Sequence, residues 1–256
     1  MNKLIYILGV AILLIPIGLR VIDGERQEER IATYEENVKG VDEEEITKQL
    51  EQAGRYNQKL YEEGSVDLKD YERELNLLGN GIMGSIEIPK IDLKLPVYHG
   101  TSEEVLAVGV GHLKESSLPV GGESTHSVLT GHRGTPNAQL FTRLDELEEQ
   151  DVFFIHVGQG TLCYCICEIQ TVRPEETEVI GIKKGKDMVS LVTCTPYGLN
   201  THRLVVTGER EVEEIQVVKH VKGNNLSKWD KASLVVPCVS GVVMFIKMKK
   251  RKGVIR

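Results

Sequence analysis

The chain has 256 residues, 41% of them hydrophobic, with 8 prolines and 25 glycines. That is enough for one domain of ordinary size with appendages, and it excludes a disordered or collagen-like chain. The formal net charge is −7, yet residues 247–256 hold six basic side chains and no acids. An acidic body argues against nucleic acid as a partner, because that affinity rests on neutralising phosphates.

In chain order, residues 4–19 are uncharged and almost wholly apolar, and Val21 and Ile22 extend the run past Arg20. This is short for a membrane helix but workable. A cleaved signal peptide is the competing reading, and no small-x-small cleavage site follows the run, so an uncleaved anchor over residues 1–22 is expected. Residues 25–64 are heavily charged, with apolar positions such as Ile31, Tyr34, Val38, Ile46, Leu50 and Leu60 at mostly helical intervals. Two amphipathic helices are expected there, with Gly40, Gly54 and Gly64 as candidate breaks.

From Gly84 the period changes to two. Ile86 and Ile88 alternate with polar residues, Pro89 interrupts, and Leu93, Leu95 and Val97 alternate again. Residues 103–108 read as a helical turn or two, 125–130 as a strand, and 139–144 as a short helix. A hairpin is expected over 151–157 and 161–172 around Gly158 and Gly160. Residues 189–194 and 202–209 read as two more strands. Many short strands with turns between them imply a mostly β barrel or sandwich. Within the hairpin, Cys163, Cys165 and Cys167 share one face of a strand, the outer pair about 13 Å apart. That spacing suits neither one tetrahedral zinc nor a strand-internal disulfide, so the three read as small side chains facing outward.

Residues 232–246 form a second apolar run, followed by Lys247 and a cluster of basic residues. With a snorkelling Lys247 it is marginally long enough to span a bilayer, and the basic cluster places its end inside.

The chemistry-bearing residues lie at strand ends. SVLTGHRG, residues 127–134, runs a strand into the glycine-flanked His132. LVTCTPYGLNTHR, residues 191–203, ends one strand at Cys194 and begins the next at Arg203. A thiol and an imidazole far apart in sequence, each at a strand end facing a loop, are the pattern of a nucleophile and its acid/base partner. An arginine beside them supplies a permanent cation for an oxyanion.

These motifs, with GIMGSIEIPKIDLKLPVYHGTSEE and GVGHL, make the chain resemble the sortases, the cysteine transpeptidases of Gram-positive cell surfaces. The likeness covers about residues 79–210 and points to the class C, pilin-polymerising branch. It implies an eight-stranded sortase-type β-barrel over residues 79–215. N-terminal helices at 23–78, a linker at 216–231, a transmembrane helix at 232–247 and a cytoplasmic tail at 248–256 complete the expected plan. With the first anchor, both termini would be cytoplasmic and the barrel extracellular. The resemblance makes Cys194 the nucleophile, His132 the acid/base and Arg203 the oxyanion and substrate clamp, with no cofactor. It implies LPxTG-type surface or pilin proteins as substrates and an amine acceptor, either a pilin lysine or a peptidoglycan precursor. A housekeeping sortase, a non-transferring thiol protease and a binding-only membrane protein are the alternatives. No Asp or Asn that would orient His132 stands out. Class C enzymes carry an Asp-Pro-aromatic lid over the site. Here residues 64–71 read GSVDLKDY, without the proline or an adjacent aromatic, so the segment reads as a degenerate lid and a more accessible site than in lid-bearing relatives is expected.

Overall fold

The computed structural model describes residues 2–69, 71–133 and 139–211, and up to residue 23 the side chains of Leu8, Ile12, Ile15 and Ile22 alone. The second apolar run and its basic tail lie outside them.

Eight strands form the body: β1 (Ile82–Ile88), β2 (Leu93–His99), β3 (Val110–His112), β4 (Thr125–Thr130), β5 (Val152–Val157), β6 (Gly160–Val172), β7 (Asp187–Thr195) and β8 (His202–Arg210). They close into a barrel in the order β1-β2-β3-β4-β7-β8-β6-β5. Alternation in the sequence becomes alternation of faces: Ile86, Leu95, Leu129, Tyr164, Leu191 and Val206 are all fully buried in one interior core. The expected hairpin is present, β5 pairing antiparallel with β6. Tyr164 and Ile166 point inward and Cys167 is exposed, as expected, and the pairing with β8 shifts register between Ile166 and Glu168. Cys163 and Cys165 are half-buried rather than fully outward.

Strand β3 is a feature the sequence reading did not contain. It is three residues long, runs parallel to β2 and antiparallel to β4. Because it is so short, residues 113–117 cover the rest of the β4 edge. Leu113 N donates to Val128 O (2.9 Å) and Ser117 N to His126 O (3.0 Å). The Ser117 and Ser116 hydroxyls accept from His126 N and Val128 N, each at 3.0 Å.

The N-terminal region is two helices, α1 (Asn2–Lys39) and α2 (Glu43–Glu63). Helix α1 runs unbroken through both the expected anchor and the first juxtamembrane helix, so residue 22 marks no break in the backbone. Among the described residues no helix is long and apolar enough to cross a membrane. Ile31, Tyr34 and Val38, spaced for one helical face, are buried, and Tyr34 and Val38 pack with Ile46 and Ile82. Lys94 on β2 pairs with Glu35 at 2.8 Å. Helix α2 begins at Asp42, whose side chain caps Glu44 N, and ends at Gly64 in the left-handed conformation (φ 70°) that glycine adopts without strain. Gly54 does not break it: the position faces open space, and an interior glycine costs a helix only about 1 kcal/mol. The buried Asn57 clasps the barrel, donating to Leu118 O (3.0 Å) and accepting from Leu118 N (2.7 Å).

The segment joining α2 to β1 is pinned by histidines. Tyr71, buried, sets its hydroxyl 2.8 Å from His112 Nδ1 and accepts from Gly100 N at 3.0 Å. His99 presents Nε2 to Glu74 O (2.6 Å) and Nδ1 to Gly81 O (3.0 Å).

Candidate active site

Strands β4 and β7 run parallel, with Thr130 opposite Val192. Gly131 N extends the ladder by donating to Val192 O at 3.1 Å. Two residues beyond Thr130, His132 therefore stands level with Cys194, two residues beyond Val192. Across the other edge of β7, Cys194 is the direct antiparallel partner of Arg203 on β8. Three residues separated by 62 and 9 positions in the chain are thus gathered at one end of the barrel by register. The structure brings together all three residues expected from the sequence.

Each is positioned by its neighbours. A Cβ at Gly131 would lie 2.8 Å from the buried Phe141 ring, so this glycine lets the histidine loop pass against the core. His132 O accepts from Phe141 N at 3.1 Å, tying the loop to the turn of 3-10 helix at Leu140–Glu146. His132 Nε2 lies 3.3 Å from Glu103 Oε2 on α3 (Glu103–Leu106). That carboxylate is 87% exposed, so the pair contributes at most about 1 kcal/mol. Cys194 is a half-buried free thiol. Arg203 Nη1 donates to the carbonyls of His202 (3.2 Å) and Asn200 (3.4 Å), and among the described residues no carboxylate reaches it within ion-pair distance. Its charge is therefore free for a ligand. Tyr197 and Leu199, 54% and 73% exposed, make an apolar rim on the loop between β7 and β8.

A second layer of contacts was not foreseen from the sequence. Thr193 Oγ1 donates to Gly131 O (2.7 Å) and Arg133 Nη1 donates to Thr195 Oγ1 (2.9 Å). Arg133 also pairs with Asp145 at 2.6 Å. The residues on either side of Cys194 are bonded to the residues on either side of His132. The signal was in the motifs: hydroxyls alternating with the thiol in TCT, and an arginine directly after the histidine.

The other described cysteines stand apart. Tyr164, next to Cys163, pairs with Arg210, whereas Val172 at the far end of β6 pairs with Arg203. Seven residues of strand separate those levels, roughly 23 Å. Burial pushes the Cys163, Cys165 and Cys167 thiols up from their ordinary value, which favours the less nucleophilic protonated form.

Residues 64–69 of the loop after α2 make no hydrogen bond or ion pair with Cys194, His132 or Arg203. Asp67 turns back on its own neighbour, accepting from Lys69 N at 3.0 Å with Lys69 Nζ at 3.5 Å. Val66 and Asp67 instead border an open cavity of about 350 Å³ against Arg55, Tyr56 and Lys59 of α2. None of Cys194, His132 and Arg203 lines it. Among the described residues no group of three or more His, Cys, Asp or Glu is placed to hold a metal ion.

Comparison with known proteins agrees with this geometry. The family profile described as Sortase domain matches residues 86–211. Sortase D of Bacillus subtilis is 35% identical over 130 residues, 50% of this chain. The match spans 63% of that relative's length. Among solved structures, sortase C of Streptococcus pneumoniae, described for its catalysis and pilin substrate specificity, is 40% identical with a TM-score of 0.67. It covers 72% of this chain and 96% of its own. Sortase C of Clostridium perfringens, with the C-terminal cell wall sorting motif, is 43% identical with a TM-score of 0.66, covering 72% and 98%.

Proposed function

The chain belongs to the sortase family of cysteine transpeptidases, and from that premise we propose that it cleaves an LPxTG-like sorting signal and joins the acyl group to a pilin lysine. The observation that carries this reading is the placement of Cys194 opposite Arg203 and level with His132 at one barrel end. The likeness to sortase C structures, one with pilin substrate specificity and one with a sorting motif, supports the substrate class.

In this mechanism the Cys194 thiolate attacks the carbonyl carbon of the signal's threonine. Charge develops on the carbonyl oxygen, and Arg203, anchored by two loop carbonyls and free of any carboxylate partner among the described residues, holds it. The threonine–glycine bond breaks, His132 gives its proton to the departing amine, and a thioester remains on Cys194. An incoming lysine amine loses its proton to His132 and attacks the thioester. An isopeptide bond forms and the thiolate leaves. The imidazole thus ends each half-reaction ready for the next.

The anchoring is part of the proposal. The apolar residues 4–19, carried on α1, and the run at 232–247 with its basic tail hold both termini inside and the barrel outside the cell. Enzyme and membrane-bound substrates then share one surface, which raises their encounter frequency. A cysteine introduced into the 247–256 tail of a chain whose five own cysteines are replaced, labelled with a membrane-impermeant thiol probe, tests this: reaction in intact cells overturns the two-span arrangement.

The activity is tested by incubating the full chain in detergent with an LPxTG peptide and a lysine-bearing pilin fragment, with an oligoglycine acceptor in parallel. An acyl adduct on Cys194 and a product joined through the pilin lysine are expected. Transfer to oligoglycine alone redirects the reading to cell-wall attachment, and release of free acid with either amine present makes the protein a protease. No adduct on Cys194 overturns the assignment.

A further inference from the structure

Alternation along an extended strand sends the side chains of Thr193 and Thr195 to the face opposite Cys194. Both hydroxyls are bonded there to the histidine loop. Thr193 donates to the carbonyl immediately before His132, and Thr195 accepts from the side chain immediately after it. The backbone ladder between β4 and β7 stops at Gly131 N and Val192 O. Beyond that point the described cross-links between the two catalytic segments are these two.

Of the two, the arginine link is the adjustable one. The Arg133 side chain is only 9% exposed, held between Thr195 Oγ1 at 2.9 Å and Asp145 Oδ2 at 2.6 Å. Asp145 belongs to the same 3-10 segment whose Phe141 N holds His132 O. A planar guanidinium that binds two partners on different elements fixes their separation, which a single point charge does not. The sulfur–imidazole spacing is the quantity such a brace controls, and small misplacements of reacting groups are costly in rate.

We propose that Arg133 is a positioning residue which, braced by Asp145, holds Thr195 and thereby sets the alignment of Cys194 with His132. This rests on the transpeptidase reading above.

The substitution Arg133→Met removes the brace without stranding a charge, since Asp145 is half-exposed and can take up water. In the full chain in detergent, R133M should lower kcat for LPxTG transfer by roughly tenfold to a hundredfold, with KM and the melting temperature unchanged within error. Thr195→Val should give the same loss, and the R133M/T195V double variant no greater one, because the two remove one interaction. A second readout needs no turnover: iodoacetamide alkylation of Cys194, followed by peptide mass spectrometry. His132→Ala should change that rate in the Arg133 background and leave it unaltered in the R133M background. Wild-type kcat in R133M, losses that multiply in the double variant, or an equal effect of His132→Ala in both backgrounds would each overturn the proposal. An active wild type with such results removes Arg133 alone. A wild type without transfer, together with no effect of His132→Ala in either background, removes the transpeptidase reading and the brace with it.

Discussion

Acidification should loosen this fold in a defined window, and His112 sets it. The ring is fully buried on β3, its Nε2 facing Ser117 O at 2.8 Å and its Nδ1 facing the Tyr71 hydroxyl at 2.8 Å. A neutral imidazole satisfies both, donating from Nε2 and accepting at Nδ1. Burial pushes its pKa down to about 4, partly offset by the Ser117 carbonyl. The unfolded chain, with an ordinary value of about 6.5, takes up a proton that the folded chain refuses. Stability is therefore complete above pH 6.5 and falls as pH drops towards 4. The difference of about 2.5 units corresponds to about 3 kcal/mol, a large part of the ~5–15 kcal/mol that holds a typical domain folded. His126, also lowered by burial, pushes in the same direction. Urea denaturation at pH 7.5, 5.5 and 4.5 measures the loss. The variant His112→Gln, whose amide can donate to Ser117 O and accept from Tyr71, should be less sensitive by about 3 kcal/mol over that range. Wild type and variant with parallel pH profiles would refute the burial argument.

Three further outcomes are expected. Cys194→Ala should abolish thioester formation with a sorting peptide, whereas Cys163→Ala and Cys165→Ala should leave it nearly intact; an acyl adduct found by mass spectrometry on Cys163, Cys165 or Cys167 contradicts the site. Arg203→Lys should lower the transfer rate by ~10²–10³ while leaving the melting temperature in place, because lysine lacks the planar set of donors; unchanged turnover removes Arg203 from the mechanism. Replacing Val66, Asp67 and Leu68 by serine, which leaves the buried Tyr71 in place, should raise the alkylation rate of Cys194 by less than about tenfold, since Leu68 offers at most ~1.5–3 kcal/mol of apolar cover before the loop's ordering entropy is subtracted. A larger rise would show that this loop does shield the thiol.

The strands were legible because a half-buried strand must alternate, and Ile86, Ile88, Leu93, Leu95 and Val97 do so on either side of Pro89. The site residues were legible because a thiol, a glycine-flanked histidine and an arginine each sit at a strand end. What the sequence hid was pairing over distance. Asn57 meets Leu118 across 61 positions and Tyr71 meets His112 across 41, and neither partner carries a local pattern that announces the other. Strand β3 was missed because three residues are too few to show a period. Helix α1 was divided on paper at its change from apolar to charged, yet a backbone hydrogen-bond ladder is indifferent to side-chain polarity, and Gly24 within it meets nothing within 4 Å.

Closure of the barrel constrains how a peptide can be recognised. Each strand has a neighbour on both sides, and residues 113–117 extend along β4 the cover that the short β3 begins. Strand β8 is paired on both sides from Arg203 to Glu209, so the strand that carries Arg203 offers an incoming chain no free edge. Main-chain pairing would hold almost any extended polypeptide. With that mode closed, discrimination falls to side chains at the barrel mouth, such as Arg203 and the exposed Tyr197 and Leu199. On the proposed function, recognition beside Arg203 therefore reads side chains rather than backbone.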